Sequence, residues 1–178
     1  MNRNLAVFTL LLIPVLVSGE ILKFATSGKK GLDLQWWPKL PEVKGWHQDK
    51  DMSKHYALNA LAPNGSTFAN SPVVMTGKAC YKPKVEEHSL AEFIKDDEES
   101  FKKDRPGIKT RDVDPLTTKD GQKLRTVEFI PTKNGDYELV SYGVEGDFYL
   151  VFTLSSRTKQ GFDASLKTFK GMIHHYKR

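Results

Sequence analysis

Phe148-Tyr149-Leu150-Val151-Phe152-Thr153-Leu154 decides the fold of this chain. Its apolar residues do not alternate with polar ones, so as a strand it presents apolar side chains on both faces. Such a strand must be covered on both sides. Downstream, Phe162, Leu166, Phe169, Met172 and Ile173 recur at helical spacing over residues 159–176, which predicts a terminal helix with one apolar stripe as the first cover. Upstream, Lys119-Asp120-Gly121, Lys133-Asn134-Gly135-Asp136 and Glu145-Gly146-Asp147 cut residues 108–154 into four extended segments. Connections this short make an antiparallel meander, whose first segment, Ile108 to Val113, is charged enough to suit an edge.

The second cover is sought further back. Ser89-Leu90-Ala91-Glu92 has the spacing of a capping box, in which serine and glutamate satisfy backbone donors at a helix start. A helix over residues 90–104 follows, with Leu90, Phe93, Ile94 and Phe101 on one stripe, and Arg105-Pro106-Gly107 ends it. Residues 72–81 predict a strand with Val73, Met75, Ala79 and Tyr81 on one face and Val74, Thr76 and Cys80 on the other. Residues 55–61 predict another, with Tyr56, Leu58 and Ala60 in phase, before the turn at Pro63-Asn64-Gly65-Ser66. The expected class is α+β: a three-layer α/β/α sandwich with a central antiparallel sheet and helices on both faces.

Residues 1–19 read as a secretory signal peptide. Arg3 precedes an apolar run from Leu5 to Val17, interrupted only by Thr9 and Pro14, and Val17-Ser18-Gly19 supplies small residues for cleavage before Glu20. The run is short for a membrane span, and no stable membrane insertion is expected after cleavage. Residues 20–45 form an N-terminal arm of poor periodicity with a flexible leader over 26–31. Residues 46–178 form the sandwich domain. Trp36 and Trp37 in the arm, with Trp46 beside it, are expected to fold back onto the domain.

The chain of 178 residues has a formal charge of +5, one unit of which is Arg3. Lysines alternate with carboxylates, as in Asp96-Asp97-Glu98-Glu99 before Lys102-Lys103, so the surface is mixed and carries no stripe for a nucleic acid. Cys80 is the only cysteine, which excludes an intramolecular disulfide. It reads as a small buried hydrophobe on its strand.

The helix ending in Pro106-Gly107, the meander with Asp120-Gly121, the Tyr149-Leu150-Val151-Phe152-Thr153-Leu154 strand and Phe169-Lys170-Gly171-Met172 in the last helix together resemble the PsbP-like alpha/beta/alpha sandwich superfamily. The likeness is greatest to its uncharacterised exported bacterial members and spans residues 46–176. The resemblance implies a domain used mainly for binding other proteins, with no shared catalytic residues to transfer.

A search for chemistry yields little. Adjacent helical side chains diverge by about 100 degrees, so His174 and His175 do not share a metal through one face. No Gly-x-Ser-x-Gly elbow or glycine-rich phosphate loop occurs, and a Cys80–His55 dyad would require the first two strands to be neighbours. No cofactor or metal is expected. Trp36, Trp37, Trp46, His47 and Tyr142 are the candidate binding residues, lining a groove between arm and sheet. The expected function is an exported, soluble, non-enzymatic accessory or protein-binding module, whose partner is another envelope or secreted protein in the periplasm or outside the cell. The alternative is a carrier holding a small hydrophobic ligand between the tryptophan arm and the sheet.

Overall fold

The computed structural model describes residues 21–28, 31–132 and 135–178. The signal peptide with its cleavage position, and Lys133-Asn134 of the second turn signal, lie outside them. In chain order the elements are β1 (Ile21–Gly28), β2 (Gly31–Pro38), β3 (Trp46–Gln48), α1 (Lys50–Tyr56), β4 (Asn59–Pro63), β5 (Val73–Tyr81), α2 (Leu90–Asp104), β6 (Lys109–Thr117), β7 (Lys123–Ile130), β8 (Tyr137–Glu145), β9 (Phe148–Ser156) and α3 (Lys159–His175). Strands β3 to β9 form one antiparallel sheet in the order β3-β4-β5-β9-β8-β7-β6, and β1 pairs with β2 in a separate hairpin.

The doubly apolar β9 lies inside the sheet, matched along its full length by β5 on one side and β8 on the other. Its odd-and-even alternation divides the core in two. Leu150, Phe152 and Leu154 join Met75, Ala79, Leu124 and Leu139 beneath Phe162, Phe169, Met172 and Ile173 of α3. On the opposite face Val151 borders a smaller cluster of Val127, Phe129, Val140 and Tyr142 under Ile94 of α2.

The three-layer α/β/α sandwich is not what forms. The molecule is mostly sheet, and neither face carries a helical layer. One face is shared between α3 and the β1-β2 hairpin, because Ile21, Trp36, Leu40, Val43 and Trp46 all join the α3-side core. The tryptophan arm is therefore on the same side as α3, not on the side of α2. The other face has α2 over β7, β8 and β9 only. The physical reason is the width of the sheet: strands about 4.8 Å apart make a seven-stranded sheet far wider than one helix of about 10 Å diameter.

Residues 50–56 are also helical where a strand over 55–61 was expected. Asp49 caps α1 by accepting from Met52 N at 3.1 Å, and Ala57 ends it in the left-handed region at φ 57°. The strand begins only at Asn59. By contrast α2 spans the expected residues, and Ser89 Oγ accepts from Glu92 N at 3.2 Å. Glu92 reaches back to His88 N at 2.9 Å, one residue beyond the usual capping-box partner. The predicted edge is the edge: β6 pairs only with β7, and its register shifts between Val113 and Leu116 around Asp114-Pro115.

Candidate functional site

Helix α2 crosses its face of the sheet on a diagonal. Phe93 stacks on Tyr149 of β9 at 4.8 Å between ring centroids, Asp97 meets Tyr142 of β8, and Phe101 stacks on Phe129 of β7 at 4.3 Å. Moving outward as it advances, α2 leaves the corner formed by β5, β9 and β8 uncovered. Register fixes what lies there. Val74, Ser155 and Glu138 stand side by side in one row, with Thr76, Thr153 and Val140 in the next.

The far wall of this corner is residues 66–72, which Asp49 holds in place. While Oδ1 caps α1, Oδ2 accepts from Phe68 N at 3.0 Å. These backbone donors, Phe68 first and Met52 second, hold the Asp49 carboxyl below its ordinary value. Arg157 N donates to Pro72 O at 2.9 Å and ties the wall to the end of β9. The result is a groove of about 360 Å³ lined by Phe68, Ser71, Val74, Thr76, Phe101, Glu138, Thr153, Ser155 and Arg157, with Asp136 at its rim. That volume falls within the usual range for small-molecule sites, roughly 300–1,000 Å³.

Glu138 is the unusual member. It is 4 % exposed, and its Oε1 accepts from Arg105 Nη1 at 3.0 Å and from Ser155 Oγ at 3.1 Å. Its Oε2 is buried without a hydrogen bond among the described residues. Burial pushes this carboxyl above its ordinary value, and the Arg105 guanidinium opposes the shift. A buried carboxylate oxygen with no donor is costly, and with less than 1 Å² of accessible surface this one is closed to the groove.

A second groove, of about 310 Å³, runs between β6 and α3 over Val113, Leu116, Phe162 and Leu166. Of its charged lining, Arg111 pairs with Glu128 and Lys159 with Asp163.

The sequence-predicted binding residues are dispersed. Trp36 is half-buried at one end of the sheet, with its ring 5.2 Å from Tyr81, 5.9 Å from Phe148 and 5.0 Å from the Lys84 ammonium. Trp37 is buried, Trp46 is half-buried against the α3-side core, and His47 is exposed on β3. Tyr142 is fully buried on the opposite face, under α2. Among the described residues these five do not come together, lying on two faces of the sheet. Between arm and sheet the contact is tight at Gly77, where a Cβ would stand 3.0 Å from both Leu40 and Pro38 side chains.

Cys80 is half-buried opposite Tyr149, and burial pushes its thiol up, with Lys78, Asp97 and Glu87 as its charged neighbours. His55 lies on α1 with its ring against Tyr56. Among the described residues no three His, Cys, Asp or Glu side chains converge as a metal site, and no helix is long and apolar enough to cross a membrane. Glu138 escaped the sequence reading, although a signal exists: it is an acidic residue in phase with Val140 and Tyr142 on a face that is otherwise buried. No protein-family model matches the chain, and no curated protein matches it, so the PsbP-like resemblance rests on turn and packing residues alone.

Proposed function

We propose that this chain is an exported, non-enzymatic binding module that takes a small polar ligand in the corner groove of its sheet. The observation that carries this reading is a walled groove of ligand size lined by Thr76, Thr153 and Ser155 beside the Arg105–Glu138 pair. Export is supported by the signal-peptide pattern of residues 1–19. The non-enzymatic reading is supported by the commitment of the chemically capable groups to packing. Asp97 holds Tyr142, Glu145 accepts from Tyr176, and burial pushes the Cys80 thiol up.

The test is an amide chemical-shift titration of the purified protein with pools of small polar compounds. Shifts converging on Thr76, Glu138, Thr153 and Ser155 are the expected result. If every pool leaves those four amides unmoved, the groove is not a binding site.

A second reading, binding of another exported protein, is favoured by the half-buried trio Trp36, Tyr81 and Phe148 beneath Lys84. Aromatic rings flanked by a cation are typical interface anchors. A photo-crosslinker at Lys84 in the native envelope that gives one reproducible adduct, lost on Trp36→Ala, supports it. A yield unchanged by that substitution counts against it.

A further inference from the structure

We propose that β1 is a docking edge for a second copy of this chain, two hairpins joining through antiparallel β1–β1 pairing into one four-stranded ribbon. This surface lies outside the corner groove and does not depend on it. The first argument is that β1 has an open side. It pairs with β2 in unbroken register from Ile21↔Pro38 to Gly28↔Gly31, and among the described residues no other strand is hydrogen-bonded to it. Strand β2, not β1, is the one turned to the body, with Pro38 against Gly77 of β5. Leu22, Lys23 and Ala25 of β1 are exposed. Of the large apolar side chains left exposed among the described residues, Leu22 and Leu34 both belong to this hairpin. A two-stranded ribbon is marginal alone, and a further strand along its edge pairs amides and carbonyls that otherwise face water.

The second argument is that nothing in β1 blunts this edge. Its eight residues contain no proline and a single charge, Lys23, and the strand carries no bulge. Strands kept from pairing carry such devices. Self-complementarity, the third argument, selects a second copy as the occupant. Two β1 strands related by a two-fold axis pair antiparallel, and a register centred on Phe24 engages residues 21–27 of both. It sets Lys23 of one copy opposite Ala25 of the other, twice by symmetry, and brings no like charges together. A register centred on Lys23 would oppose the two ammonium groups. Pairing of this isologous kind closes at two copies. The other borders of a second copy are poorer matches, since β3 has three residues and β6 is broken around Asp114-Pro115.

The experiment is sedimentation velocity of the purified exported protein over a concentration series, with hydrogen exchange of residues 21–28 followed in the same samples. The expected result is a monomer–dimer equilibrium in which the β1 amides exchange more slowly as dimer forms. Ala25→Lys, at an exposed position, puts a like charge opposite Lys23 twice per dimer and is expected to weaken association about tenfold. Ala25→Glu reverses the sign and is expected to tighten it, a gain that high salt removes. Monomer alone up to about 1 mM, the weak end of protein association, would overturn the proposal. A dimer whose β1 amides stay unprotected, or one that both substitutions leave unchanged, would place the interface elsewhere and overturn it too. Photo-crosslinking from Lys23 in the native envelope covers the other occupant. Adducts to this same chain support the second copy, and adducts to a different exported protein alone overturn it.

Discussion

Tyr142 Oη donates to Asp97 Oδ2 at 2.7 Å, joining the middle of the sheet to the middle of α2. Tyr142 is fully buried and Asp97 half-buried, so this bond is partly shielded from water and helps fix where the helix crosses. Tyr142→Phe removes the donor and keeps the ring, leaving a carboxylate without its partner. The expected cost is about 1–3 kcal/mol by urea denaturation. A double-mutant cycle with Asp97→Ala, which removes the acceptor, should show coupling between the two positions. Additive losses would mean the bond does not hold α2.

The same carboxyl shapes the response to pH. Burial raises Asp97 above 3.8 and Glu138 above 4.5, with the hydrogen bond from Tyr142 opposing the first shift and Arg105 the second. Each group therefore holds its proton more tightly folded than unfolded. That contribution is complete below the unfolded value and is lost as pH rises through the higher folded value. Asp97→Asn keeps an acceptor for Tyr142 but cannot ionise, so it should flatten the decline in stability on the alkaline side of 3.8. Denaturation curves at about pH 4 and about pH 7 check this. An unchanged difference between wild type and variant at the two pH values would contradict it.

Arg105 is the only cation bonded to Glu138 among the described residues. Arg105→Ala leaves a buried carboxylate with Ser155 alone and should cost about 1–3 kcal/mol near neutral pH. Because protonation of Glu138 removes the orphaned charge, the deficit should shrink as pH falls. A loss independent of pH would instead point to the packing of Arg105 over the Phe101 ring, at 5.2 Å.

Gly77 tests the docking of the hairpin. A side chain there must displace Leu40 and Pro38, each 3.0 Å from the ideal Cβ position. Gly77→Val should cost about 1–3 kcal/mol through overpacking and shift the tryptophan emission as Trp36 loses its seat against Tyr81 and Phe148. Unchanged emission would show that the hairpin is held by other contacts.

What the sequence made legible follows from which interactions are local. Helix α2 announces itself by a cap and an apolar stripe, α3 by its stripe, and β9 by its doubly apolar run. Helix α1 has no such stripe over Lys50-Asp51-Met52-Ser53-Lys54-His55-Tyr56, and the in-phase Tyr56, Leu58 and Ala60 imitated a strand. Its deciding interaction is the Asp49 cap, a single hydrogen bond. Strand pairing of the arm was hidden because Trp36 and Trp37 are adjacent and both shielded, which defeats alternation. The groove was illegible for a different reason. Which corner of a sheet stays open depends on the diagonal of a helix packed above it, and that angle leaves no period in the residues of either element.

The two borders of the large sheet have a consequence for how this protein meets others. One is the three-residue β3, and the other is β6, interrupted by Asp114-Pro115 and lined with Arg111 and Asp112. Neither offers a long run of free amides and carbonyls for another chain to zip onto. Along the borders of the large sheet, extension by main-chain pairing is thereby disfavoured, and recognition there falls to side chains.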